Sequence, residues 1–142
     1  MCELTVRQYD AADRDDVIEL WRQCGLVVPQ NDPGRDIERK LKVNPEWFLV
    51  GVLEGDVVAA CMAGYEGHRG WINYLTVSPQ YRRRGFAARL MHEAERLLLR
   101  AGCPKINLQI RTSNSDVIEF YKAIGYSIDD VVSMGKRIEH DR

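Results

Sequence analysis

The residues with the greatest chemical potential lie between Leu75 and Leu90. An apolar strand ending at Val77 is stopped by Pro79, passes through Arg82-Arg83-Arg84, and enters a helix opened by Gly85, Phe86, Ala87 and Ala88. The first N–H groups of a helix have no internal partner and carry the positive end of its dipole, so they favour a phosphate. Gly85, Ala87 and Ala88 are small enough to let that phosphate come close, and the three arginines add fixed positive charge at the mouth. The segment reads as an anion seat. Taken alone, it reads equally well as a solvated turn before an ordinary helix.

A second segment decides between these readings. Asn114 to Tyr126 has the pattern of a short helix closed by Gly125, with Tyr121 in its last full turn and Tyr126 just beyond. Arg82-x-x-Gly85-x-Ala87 resembles the acetyl-CoA pyrophosphate motif of the GNAT-type N-acetyltransferases. Asn114, Val117, Phe120, Tyr121, Gly125 and Tyr126 resemble a second motif of that superfamily, in the same order and spacing. The likeness extends over essentially the whole chain. Asn31-Asp32-Pro33, Asp36 to Lys40, Gly67 to Gly70 and Gly102 to Ile106 are similar to the small bacterial YpeA-type members, a name that carries no substrate.

The resemblance implies an α/β fold of the α+β kind. Its central mixed sheet is mostly antiparallel, with helices on both faces and a fourth and fifth strand that run parallel and splay apart. Acetyl-CoA is the implied co-substrate, and no metal is implied. The pantetheine arm would lie between the splayed strands like an added strand, on the backbone of Leu75, Thr76 and Val77. Arg82, Arg83, Arg84, Gly85, Phe86, Ala87 and Ala88 would hold the phosphates, with Asn114 and Tyr121 also on the cofactor.

Attack of an amine on a thioester requires a neutral nitrogen, a donor for the developing oxyanion, and a proton for the departing thiolate. In the family position Tyr121 reaches the sulfur, and a phenol stays protonated at neutral pH. It is the implied general acid. Asn114 caps its helix, binds cofactor, or does both. The oxyanion donor is the N–H of Leu75 or Val77, provided the strand is bulged there. The base is open. Family members that acetylate ribosomal-protein N-termini use a glutamate twelve residues before the acid, where this chain has Gln109, which cannot take a proton. A water chain, a main-chain carbonyl, Tyr74 or Glu66 remain. No residue reads as a covalent nucleophile, so transfer is expected to be direct, in a ternary complex.

The acceptor, a small-molecule or peptide amine, would enter opposite the cofactor, near the first two helices. Asn31, Asp32 and Asp36 would attract a cationic amine beside an apolar wall of Leu26, Val27 and Val28. Glu66 and His68 are placed in the same pocket, although at ~3.3 Å per residue their loop is too far for direct contact with the thioester. They also read as a solvated turn. The rival from another class is a non-catalytic acyl-CoA-binding sensor or interaction module. A nucleotide-binding regulator is a third reading.

Composition bounds these readings. The 142 residues, 45% hydrophobic and 29% charged, suit a single domain over 1–142. A net charge of −1, from 20 basic and 21 acidic residues, offers no global field toward nucleic acid or an anionic membrane. No long apolar run or leader is visible, so a cytoplasmic protein is expected. Cys2, Cys24, Cys61 and Cys103 have neither paired spacing nor adjacent histidines and read as free thiols.

The elements that must position this chemistry follow from periodicity. Leu4, Val6 and Tyr9 mark a short edge strand. Val17, Leu20, Trp21 and Cys24 mark a first helix, stopped at Gly25. A loop is expected from Leu26 to Arg35, then a helix from about Asp36 to Val43 that turns Ile37, Leu41 and the stem of Lys40 inward. Trp47–Leu53 and Val57–Tyr65 read as a hairpin around Glu54-Gly55-Asp56, and Trp71–Val77 as the next strand. The main helix runs from about Gly85 to Ala101 on a stripe of Phe86, Leu90, Ala94, Leu97, Leu98 and Ala101. Lys105–Ile110 reads as a strand parallel to its predecessor, and Tyr126–Ile138 as a weak pair of final strands. Homodimerisation through those last strands is common in the family, and nothing in the sequence fixes it.

Overall fold

A computed structural model describes residues 3–141; Cys2 lies outside them. Five strands form one sheet in chain order: β1 (Thr5–Gln8), β2 (Phe48–Leu53), β3 (Asp56–Tyr65), β4 (Gly70–Val77) and β5 (Ile106–Asn107). The first three junctions are antiparallel and the last is parallel. Helices α1 (Arg14–Gln23), α2 (Pro33–Leu41), α3 (Phe86–Arg100) and α4 (Ser115–Ala123) cover the two faces.

Alternation along the strands explains this layering, because neighbouring residues of a strand point to opposite faces. On β2, Leu49 and Leu53 pack with Leu90, Met91, Ala94 and Leu98 of α3. Phe48 and Val50 face Val17, Leu20 and Trp21 of α1 and Ile37 of α2. Both cores are closed to solvent: Trp21, Phe48, Leu90 and Leu98 have no exposed surface beyond a trace. The β2–β3 hairpin turns on two residues, Glu54 and Gly55, both at positive φ, as a tight hairpin of this hand requires.

Several boundaries differ from the sequence expectation. Helix α2 begins at Pro33, inside the expected loop, because Asp32 caps the Arg35 amide and proline is tolerated in a first turn that needs no N–H. Ile37 is buried and the Lys40 ammonium donates to the Ala63 carbonyl, but Leu41 is 41% exposed. On α3 the buried stripe includes Met91, and Ala101 is exposed. The strand expected over Lys105–Ile110 pairs only at Ile106–Asn107. No strand forms after Tyr126 among the described residues. There Ile128, Val131, Val132, Met134 and Ile138 are 73–90% exposed.

Candidate active site

Gly70 fixes where β4 and β5 meet. A Cβ at that position would fall 2.8 Å from the Cys103 sulfur and 3.1 Å from Leu98, so only glycine lets the strands approach. The Gly70 amide donates to Lys105, and the pairing ends after Trp71 and Asn107. From Ile72 to Val77, β4 therefore has no partner on its β5 side, a free edge about 20 Å long. Leu108 and Ile110 stay against the α3-side core while their backbone leaves β4.

A bulge interrupts β4 in the middle of this edge. Ala60 faces Thr76 and Met62 faces Asn73, so Tyr74 and Leu75 stand together opposite Cys61. Tyr74 has φ 57°, a left-handed conformation costing about 1–2 kcal/mol in an ordinary residue. Its ring stacks on Trp21 at 4.0 Å and its hydroxyl donates to Asp36 at 2.7 Å. Burial, and then that hydrogen bond, raise the Tyr74 phenol above its ordinary range. Leu75 packs on the other face, in the cluster that holds Cys61 and Tyr121. The Thr76 hydroxyl is buried and bonds the Tyr74 carbonyl at 3.2 Å, so only its main chain faces the edge.

The edge leads into the arginine loop. Arg83 (φ 66°) and Gly85 (φ 79°) are both left-handed, and they turn the chain so that α3 starts without a side-chain cap. By contrast, Asp32 and Asn114 cap α2 and α4. The amides of Phe86, Ala87 and Ala88 therefore open α3 as uncapped donors, an arrangement suited to an anion. The arginines are exposed but not equivalent. Arg82 folds back, its Nε donating to the Val77 carbonyl at 3.3 Å and its Nη2 lying 3.5 Å from the Cys24 sulfur. Arg84 lies over the Tyr81 ring at 5.2 Å, and Tyr81 stacks in turn on Phe86.

Tyr121 reaches the same region from α4. It is 7% exposed, edge-on to Phe120 and Tyr126, and burial, with Cys61 nearby, raises its phenol above the usual range. The group remains a proton donor across the neutral range. Tyr126 anchors the end of α4 by donating to Glu95 of α3 at 2.7 Å.

The remaining candidates form two separate groups. The Glu66 carboxylate accepts from the His68 and Arg69 amides, which lowers its pKa, and this closes an exposed turn before β4. Tyr74 lies four positions along β4 from Gly70, about 13 Å, so Glu66 and His68 are not gathered with the bulge. Asn31, Asp32 and Asp36 instead meet residues that local sequence does not reveal. The Asn31 side-chain Oδ1 accepts from Arg137 at 2.7 Å, and the Asp32 main-chain amide donates to Asp141 at 3.0 Å. Arg39 bridges Asp36 at 3.2 Å and Asp141 at 2.6 Å, holding the Asp141 carboxyl well below its usual range. Trp21, Arg39 and Asp141 are the site residues that sequence reasoning left out. Trp21 read as core, and Asp141 lies 102 positions from its partner. A separate cleft of about 210 Å³ beside Asp16, Glu19 and Asp56 lies between α1 and the start of β3.

A sheet splayed beside a parallel junction, with an uncapped helix at the end of the free edge, is the architecture of an acyltransferase fold. Residues 14–126 match the family model described as the acetyltransferase (GNAT) family, and the chain belongs to that family. An acetyltransferase of Yersinia pestis (strain Pestoides F) is 44% identical over 139 residues, 98% of this chain and 99% of that protein. One from Sodalis glossinidius is 45% identical over 140 residues, with the same coverage. Among solved structures, the aminoglycoside N-acetyltransferase AAC(6')-Iy bound to a CoA-S-monomethyl-acetylneamine bisubstrate analogue superposes with a TM-score of 0.79. It is 18% identical and covers 95% of this chain and 99% of its own. Ard1 from Thermoplasma volcanium gives 0.74 at 24% identity, over 89% and 84% of the two chains. The chain is an acetyltransferase of bacterial type, with the mixed α/β fold that the sequence implied. No helix among the described residues is long and apolar enough to cross a membrane.

Proposed function

We propose that this chain transfers an acetyl group from acetyl-CoA to a primary amine by direct attack in a ternary complex. The observation that carries the reading is the continuity of the free β4 edge with the uncapped start of α3. One is a template for an extended amide-bearing chain, the other a seat for phosphate, and together they fit the two halves of CoA. The phosphates are assigned to the amides of Phe86, Ala87 and Ala88 with Gly85 and the three arginines. The pantetheine is assigned to the main chain of Leu75, Thr76 and Val77. Arg82 already donates to the Val77 carbonyl, so it must share that oxygen or release it. Asn114, whose side-chain Oδ1 caps the Val117 amide, retains its NH2 group for the cofactor.

The thioester supplies an electrophilic carbonyl and a good leaving group. The Leu75 amide stabilises the developing oxyanion, and Tyr121 gives its phenolic proton to the thiolate as the C–S bond breaks. The new C–N bond leaves a proton on nitrogen, which passes to water. Water is preferred as base because the alternatives are committed. Tyr74 donates its own proton to Asp36 and Glu66 is tied into its turn, while Gln109, which bonds Ser133, cannot take a proton.

The acceptor, a small-molecule or peptide amine, is assigned to the α1–α2 side, near Asn31, Asp32 and Asp36. The AAC(6')-Iy complex, an aminoglycoside N-acetyltransferase, supports the small-molecule class. We assign the protein to the cytoplasm, and to a homodimer through the apolar side chains exposed between Ile128 and Ile138; sedimentation velocity tests the dimer. Gln109 at the family's base position favours one second reading, a sensor that binds acyl-CoA without turnover.

Calorimetric titration with acetyl-CoA and CoA, followed by thiol release across an amine panel, tests the proposal. Binding with amine-dependent release supports it, binding without release leaves the sensor, and no binding removes the cofactor assignment.

A further inference from the structure

Three contacts hold Tyr74 in its left-handed conformation, which bulky residues avoid. Its ring lies on the fully buried Trp21, its hydroxyl donates to Asp36, and its carbonyl accepts from Thr76. The last is local, two residues along β4, but the first two come from α1 and α2, so the surrounding fold holds the conformation from outside the strand. Backbone held in a disfavoured state by several independent contacts marks a place where geometry matters. Asp36 is itself restrained, since its second oxygen accepts from Arg39, whose guanidinium also grips Asp141.

We infer that Asp36 and Tyr74 are positioning residues for the Leu75 amide, fixing the β4 bulge so that this donor is aimed before substrate arrives. The inference rests on the proposed acetyl transfer, in which that amide meets the oxyanion. The side chains of Tyr74 and Asp36 meet Trp21 and Arg39 on the α1–α2 face, whereas Leu75 and Tyr121 pack on the other face, so loosening them should disturb the chemical step and spare cofactor binding. A donor misplaced by an ångström loses about two orders of magnitude in rate.

The test compares Tyr74→Phe, which keeps the stack and loses the hydroxyl, with Asp36→Ala and with Asp36→Asn, which keeps an acceptor oxygen. Acetyl-CoA affinity is measured by calorimetry, the chemical step by single-turnover thiol release at saturating amine, because Asp36 is also assigned to the acceptor side, and the bulge by hydrogen exchange over Asn73–Thr76 in the protein alone. Tyr74→Phe and Asp36→Ala should lower the rate constant about 10²-fold, keep affinity within about twofold, and speed exchange at the bulge. Asp36→Asn should recover most of both losses. Wild-type rate and exchange in Tyr74→Phe would overturn the inference, as would a matching loss of acetyl-CoA affinity, which would mark a general structural role. If the unmodified protein fails to bind acetyl-CoA, the proposed function falls, and the exchange measurement still decides whether Asp36 holds the bulge.

Discussion

Tyr74 and Leu75 share a single partner across the sheet, Cys61 of β3, while their side chains enter different cores. One extra residue thus links the face carrying Trp21 and Asp36 to the face carrying Tyr121. The proposed acceptor side and the proposed cofactor side meet at these two consecutive residues.

Removing the Tyr121 hydroxyl tests the proton donor. Tyr121→Phe should lower turnover by about 10²-fold with acetyl-CoA affinity within about twofold, since general acids contribute at least that much. The phenol is raised by burial, so the rate at saturating amine should not decline on the alkaline side before about pH 10. A decline centred near neutrality would assign the step to another group.

Gly85 tests the phosphate seat. At φ 79° an alanine costs about 1–2 kcal/mol in backbone strain, and a glutamate also puts a negative charge on the uncapped amides. Gly85→Glu should abolish CoA binding in a calorimetric titration while the protein still melts cooperatively. Binding retained at wild-type strength would move the seat elsewhere.

The pH dependence of stability follows from two sets of groups. Tyr74, Tyr121 and Tyr126 are raised chiefly by burial. Their contribution is therefore complete below about pH 10 and is lost as pH rises through the raised folded values. Asp13 is the opposite case. The Arg7 guanidinium, 2.8 and 2.9 Å from its oxygens, holds the carboxyl below its ordinary range. Its contribution is present above about pH 4 and is lost as pH falls through the lowered value. Thermal midpoints should be flat between about pH 5 and 9 and fall on both sides; in Asp13→Asn the acid limb should flatten.

Much of this was legible before the fold was known, and the reasons for success and failure are physical. The arginine loop and Tyr121 stand out because helix starts and ends carry short-range signals, and the α1 and α3 faces because apolar spacing repeats every turn. Asp32-Pro33 has the pattern of a cap with proline after it, but proline also marks loops, so the start of α2 is ambiguous in the sequence. The β4 bulge is suggested by the family resemblance and not by the residues themselves, because Tyr74 is held left-handed by Trp21 and Asp36, partners 53 and 38 positions away. The residues after Tyr126 alternate well enough to read as strands, but they reach the body mainly through polar side-chain links such as Lys105–Asp129 and Arg39–Asp141.

Those links make a last prediction. Arg39→Ala removes the fork on Asp141 and should speed limited proteolysis between residues 127 and 141, with the melting of the remaining chain unchanged. Unaltered cleavage would show that other contacts hold the segment.

The unpaired stretch of β4 has a consequence beyond recognition. An edge of six residues without a strand beside it is a template for adhesion between copies, a hazard that proteins usually cover, charge or twist away. Here the proposed cofactor would be the cover, so an unliganded population would be the sticky one. Cellular solubility would then follow the supply of acyl-CoA, falling in starved cells and recovering when the metabolite returns.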